Sequence, residues 1–96
     1  VTGYIARALG IGRRFWPDAR IALLAAYDEP YATFTANVAE AMIFPSAGDA
    51  LDFTLQVYTA DPVREDGKPN RPLSGYFWEF APAETLEDRL NAEVVP

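Results

Sequence analysis

Carboxylates are the groups with which this chain could do chemistry in number. There are fourteen Asp and Glu against eight Lys and Arg, with no histidine and no cysteine. Asp49 and Asp52 fall three apart, and Asp28-Glu29 and Glu65-Asp66 are adjacent pairs. Metal-assisted or glycosidase-type hydrolysis needs such groups to converge from separate elements, and an all-carboxylate site suits Mg²⁺ or Ca²⁺ better than zinc. The competing reading is a set of solvated helix and turn acids. Without histidine the commonest general base and metal ligand is missing. Without cysteine, disulfides, thiolate metal sites and cysteine nucleophiles are excluded. No EF-hand spacing or Walker loop occurs, and Gly3, Gly10 and Gly12 do not form the dinucleotide-binding order. The residues point to no catalytic set, no cofactor and no metal.

The cations are fewer and more localised. Arg13-Arg14-Phe15-Trp16 places two guanidiniums beside two aromatic rings, a combination that can stack on and neutralise a nucleic-acid strand. With Arg64, Lys68 and Arg71 it would form a basic pole on an acidic protein. The alternative is a loop whose arginines are solvated while Phe15 and Trp16 anchor it in the core. The net charge of −6 argues against nucleic acid or an anionic membrane as a partner for the surface at large.

One segment stands out. Asp61–Gly75, DPVREDGKPNRPLSG, holds three prolines, two glycines and three of the eight basic residues. So long an irregular connection in a small domain is functional or disordered as a rule. Lys68-Pro69-Asn70-Arg71-Pro72 could be an extended element presented to a partner, or a stiffened connector. Asp66-Gly67 is a turn pair, so Val63–Asn70 is expected to make a hairpin-like excursion. The candidate contact surface is therefore Arg13, Arg14 and Trp16 with Arg64, Lys68, Asn70 and Arg71.

The elements that must position these residues fit one α+β domain spanning residues 1–96. Tyr4 and Ile5 favour a strand, in which Arg7 suits a solvent-facing position. Asp18–Tyr27 is rich in alanine and leucine and capped by Asp18, which predicts a helix over 18–27; a buried strand also fits so short an apolar run. Tyr31–Ala36 reads as a strand. Asn37, with Glu40 after it, opens at most a turn of helix, and Met42-Ile43-Phe44 is extended up to Pro45. Ser46 with Asp49 forms a capping box that opens the main helix, 47–58. Ala47, Ala50, Leu51, Thr54 and Tyr58 share one stripe of it, with Phe53 and Val57 flanking.

In Gly75–Ala81, Tyr76, Trp78 and Phe80 alternate with Phe77, Glu79 and Ala81. This is the clearest strand and, being the most apolar, the expected centre of the sheet. Phe77 implies cover on its second face too. A terminal acidic helix over 83–93 brings Leu86 and Leu90 together, and Val94–Pro96 is expected to fray. The sum is a three- or four-stranded antiparallel sheet packed by the 47–58 helix.

The pattern Phe34-x-x-Asn37-x-x-x-Ala41-x-x-Phe44-x-Ser46-x-x-x-Ala50 resembles one found in small uncharacterised bacterial and phage-encoded proteins, which often carry tryptophan at the place of Phe34. The resemblance covers residues 34–50. It implies a small α+β fold and an accessory gene on a mobile element or prophage, and no particular activity.

The longest apolar run, Ile21–Tyr27, has seven residues, far below the ~20 that span a bilayer. The first residues lack the basic-then-apolar order of a signal peptide, so a cytoplasmic setting is expected. The chain starts at Val1 without methionine, and an upstream start or trimming is expected. Three functions fit these observations: a non-enzymatic interaction module that binds a protein partner or itself as a homodimer, an acidic inhibitor that imitates nucleic acid, and a small carboxylate-based enzyme or ligand binder.

Overall fold

The structure, a computed structural model, describes residues 3–12, 14–15 and 21–94. It is an α+β fold, as the sequence predicts. Strands β1 (Tyr4–Ile11), β3 (Leu23–Asp28), β4 (Tyr31–Thr35) and β5 (Tyr76–Pro82) form an antiparallel sheet in the order β5-β1-β3-β4. The two-residue β2 (Arg14–Phe15) folds back on the end of β1. Helix α1 is Ala47–Thr54 and helix α2 is Ala83–Val94.

The sheet is buried on both faces, and adjacent residues sort onto them as the strand period of two requires. On one face Ile5, Leu23 and Ala81 pack with Leu86 and Leu90 of α2, together with Ala41 and Ala83. On the other, Ala6 and Leu24 pack with Phe44 and with Ala50 of α1, and Phe34, Phe53, Trp78 and Phe80 close around them. Opposite Phe80 and Trp78 on β5, β1 carries Ala6 and Ala8, whose small side chains leave room for the rings.

Four expectations need correction. The segment predicted as a helix over 18–27 contains β3 instead, with Ile21 and Ala22 outside any helix; residues 16–20 lie outside the described residues. Ala22, Leu23 and Leu24 are consecutive and all buried. A helix would expose one of them, whereas a strand covered on both faces buries the whole run. Helix propensity is a weak preference that this packing outweighs.

The main helix ends at Thr54 rather than at 58. The Gln56 side-chain amide donates to the Phe53 carbonyl at 2.9 Å, Thr54 Oγ1 donates to the Leu51 carbonyl at 2.7 Å, and the Tyr58 amide is drawn off to the Asn70 carbonyl at 2.8 Å. Ala50 and Thr54 are buried with Phe53 partly buried beside them, and Leu51 is 45% exposed.

The last strand is an edge, not the centre: among the described strands β5 pairs with β1 alone, while β1 pairs on both sides. Its hydrophobicity comes from cover by helices on its faces, not from neighbours along its edges. Finally, Arg7 is not solvent-facing but only 7% exposed, on the α2 face beside Ile5.

Other local readings hold. Asn37 Oδ1 accepts the Ala39 amide at 3.0 Å and opens a 3-10 turn, Val38–Glu40. Ser46 Oγ accepts the Asp49 amide at 3.1 Å and donates to the Asp49 carboxylate at 3.0 Å, the expected capping box. Met42–Phe44 is extended and wedges between β1 and β3. Tyr4 and Phe44 exchange two backbone bonds of 2.8 Å, and the Met42 amide bonds the Leu24 carbonyl at 2.9 Å. Gly3 is required beside this wedge. Its φ is +122°, and a Cβ there would come within 2.5 Å of Ile43 Cγ2 and 2.7 Å of the Phe44 carbonyl oxygen. Its own carbonyl accepts the first amide of α2, that of Ala83, at 2.8 Å.

Candidate functional site

Asp61–Gly75 is an ordered excursion in two parts. Val63 and Pro69 form a β-bridge, the Arg64 amide bonds the Lys68 carbonyl at 2.8 Å, and the Gly67 amide bonds the Arg64 carbonyl at 3.0 Å. Gly67 takes φ +83°, and the Asp66 carboxylate accepts the Lys68 amide at 3.1 Å. Asp66-Gly67 thus turns the chain as its residue types imply. The excursion stands on two feet. Asn70 donates from its backbone to the Pro62 carbonyl at 2.9 Å and from its side chain to the Asp61 carbonyl at 2.8 Å, while its own carbonyl holds Tyr58. Residues 61–69 are all exposed.

The second part returns to the sheet. Pro72–Gly75 is a 3-10 turn with Leu73 buried, and the Trp78 indole N–H donates to the Leu73 carbonyl at 2.8 Å. Gly75 accepts the Gly12 amide at 2.7 Å, which ties this end of the excursion to the β1–β2 turn.

The sequence-predicted surface is therefore brought together in part. Arg13 and Trp16 lie outside the described residues, and Arg14 is placed as a backbone partner of Ile11 in β2. Arg64 is paired with Asp66 at 3.2 Å, and Asn70 holds the loop feet rather than facing outward. Lys68 and Arg71 are exposed and enter none of the ion pairs among the described residues. The excursion as a whole is charge-balanced, Asp61, Glu65 and Asp66 matching Arg64, Lys68 and Arg71. Its cations are spread along it, with Val63 exposed among them.

A charged cluster that the sequence did not disclose lies on the α2 face. Arg7 and Glu79 are opposite each other across β1 and β5, with Nη1 to Oε1 at 3.9 Å. Arg89 of α2 donates from Nη2 to both oxygens of the same carboxylate at 3.1 Å. Two guanidiniums on one carboxylate leave the group locally positive. The signal for it was the register of β1 against β5, which cannot be read from one strand alone.

Tyr27 was also missed. Its hydroxyl is buried without a hydrogen-bond partner among the described residues, and its ring meets Phe53 edge-on at 6.0 Å. Burial pushes its pKa above the ordinary value near 10, and Glu29 and then Tyr58 add to the rise.

The described carboxylates do not converge. Among the described residues no group of three acids could hold a metal ion. Asp49 and Asp52 sit on α1, and Glu84, Glu87 and Asp88 on α2, the helices that cover opposite faces of the sheet. No helix of the described residues is long and apolar enough to cross a membrane. Comparison with protein-family profiles, with characterised proteins and with solved structures finds no match to this chain.

Proposed function

We propose that this chain is a non-enzymatic protein-interaction module whose contact surface is the 61–75 excursion. The observation that carries this reading is the excursion's construction. The backbone bonds of residues 61–70 close on themselves and on Tyr58, so the shape of this outer part is held while the side chains of 61–69 stay exposed. A loop that is ordered before contact loses little conformational entropy on binding, which is what a recognition element requires. Lys68, Arg71 and Val63 offer two cations and an apolar side chain to a partner that is acidic around an apolar point. Arg64 acts through Asp66 to stiffen the tip. The Gly12–Gly75 bond ties the β1–β2 turn to the excursion, and Arg13, Arg14 and Trp16 stay in the same reading from the sequence alone. The resemblance over residues 34–50 adds an accessory role in a bacterial or phage cytoplasm.

The test is capture by the full chain, compared with a Lys68→Ala/Arg71→Ala variant and with Val63→Ser, each checked for an unchanged melting transition. Retention of every partner by all the variants would remove the excursion from the contact. Loss by these variants, but not by a Leu51→Ser control on the outer side of α1, supports it.

A further inference from the structure

Among the described strands β5 pairs with β1 alone, which leaves its other edge open. The Tyr4 backbone bonds Phe44 and the Ala8 amide bonds Ala22, so both point away from β5. In an antiparallel ladder the intervening Ile5 and Arg7 must then point toward β5, where they face Ala81 and Glu79. The backbone groups of Trp78 and Phe80 consequently point outward. None of the backbone bonds outside the strand ladders of the described residues uses them. Proteins commonly guard such an edge with charge, proline or a bulge. Here Pro82 stands only at the end, the irregularity of the β1–β5 pair lies in β1 between Ala8 and Gly10 and leaves β5 itself regular, and the single charge, Glu79, is already matched by Arg7 and Arg89.

We infer that this edge pairs with β5 of a second copy of the chain, antiparallel and about a two-fold axis at Glu79. The strand is complementary to itself in that register. Trp78 faces Phe80 of the other copy in both halves, giving four new backbone hydrogen bonds and two cross-strand aromatic pairs. On the other side of the strand, Phe77, 39% exposed, faces the small Ala81. The two Glu79 carboxylates meet each other, which would be repulsive for bare acids. Here they bring four guanidiniums with them, so the like charges are compensated. One strand pair buries less than the roughly 1,000 Å² of a lasting interface, so the dimer dissociates on dilution.

This deepens the interaction reading by naming a second copy as one partner, and it uses a surface separate from the excursion. The first test is sedimentation and residue-resolved hydrogen exchange on the unmodified chain at low and high protein concentration. The expected result is a monomer that becomes a dimer, with the Trp78 and Phe80 amides slowed by about tenfold or more, while Glu79 and Ala81, already bonded to β1, change less. The second test uses the absence of native cysteine. Glu79→Cys should oxidise to a covalent dimer, because residues facing across the axis are close enough to bridge, whereas Phe77→Cys should not. A chain that stays monomeric overturns the proposal. So does a dimer protected at Ala32 of β4 instead, or one cross-linked equally by both cysteine variants. None of these outcomes touches the excursion reading, and loss of partners by the Lys68/Arg71 variant leaves the dimer in place.

Discussion

Ile5, Leu23 and Ala81 meet the leucines of α2 on one face of the sheet, while their chain neighbours Ala6, Leu24 and Phe80 meet α1 and a group of rings on the other. The first face is aliphatic, with Ile5, Leu23 and Leu86 fully buried. The second is aromatic and only partly dry. Phe34 lies 5.4 Å from Tyr76 and 6.3 Å from Trp78, and all three remain partly exposed. Length explains the contrast. At ~1.5 Å per residue α2 reaches about 18 Å and α1 about 12 Å, against roughly 23 Å for the seven residues of β5. Helix α1 is too short to cover the strand, and on this face the Trp78 indole instead holds the carbonyl of Leu73, a buried residue of the excursion. The same segment thus joins the aromatic face through Trp78 and projects the candidate contact surface. The contrast in burial predicts that stability is concentrated on the α2 face and adaptability left to the α1 face.

The largest test of that division is Leu86→Ala. Its side chain is 0% exposed at the centre of the aliphatic cluster, so truncation should cost about 2–5 kcal/mol through lost burial and a residual cavity. Leu51→Ala, on the half-exposed outer side of α1, should stay within about 0.5 kcal/mol. Denaturant titration of both variants measures the gap. Similar losses would mean that the two helices contribute alike and that the contrast is wrong.

Next comes the charge on the α2 face. Glu79→Gln keeps the shape but removes the counter-charge that Arg7 and Arg89 share. Arg7 is buried and keeps its other interactions, and the Glu79 side chain is 34% exposed, so the cost should be about 1–2 kcal/mol rather than that of a fully buried pair. Glu87→Gln, on the solvated side of α2, should change stability by less than about 0.5 kcal/mol. If both substitutions are silent, the cluster is a surface ornament and not part of the packing.

Trp78→Phe examines the join between the aromatic face and the excursion. The ring packing is largely kept, but the Leu73 carbonyl loses its donor while Leu73 stays buried. The expected cost is about 1 kcal/mol. The more telling readout is local, because the amides of Gly12 and Ser74, which close this end of the excursion, should exchange faster while those of α2 do not. Uniform acceleration across the sheet would mean that the excursion is not held independently of the core.

Much of this could be read from the sequence where a local rule acts alone. The Ser46 box, the Asn37 turn, the Asp66-Gly67 reversal, the alternation in β5 and the Leu86/Leu90 pair depend on neighbours a few residues away. The failures involve distant partners. Leu23 and Leu24 are a strand because β1, β4 and two helices cover them, and no local signal separates that from a buried helix. Arg7 is buried because Glu79, distant in the chain, falls opposite it. The edge position of β5 follows from which strands pair, whereas hydrophobicity reports only burial. The excursion was legible as a peculiarity of composition. Its charge balance was countable, but the pairing of Arg64 and the structural role of Asn70 depended on the geometry.

The smallest effect is expected at Tyr27, where the aromatic face holds its one described hydroxyl that is buried without a partner. Tyr27→Phe removes a group that gains nothing from its surroundings, so at neutral pH stability should be unchanged or higher by a few tenths of a kcal/mol up to about 1. The pH dependence gives the sharper readout. The folded pKa is raised above the unfolded value near 10, so the folded state holds the proton more firmly than the unfolded one. The associated stability is fully present below that unfolded value and is lost as pH rises through the folded one. The native chain should therefore weaken more steeply than Tyr27→Phe in the alkaline range, as followed by denaturant titration at several pH values. Parallel profiles would show that water reaches the hydroxyl through the gaps that α1 leaves, and that the aromatic face is wetter at this end than the packing of Tyr27 on Phe53 implies.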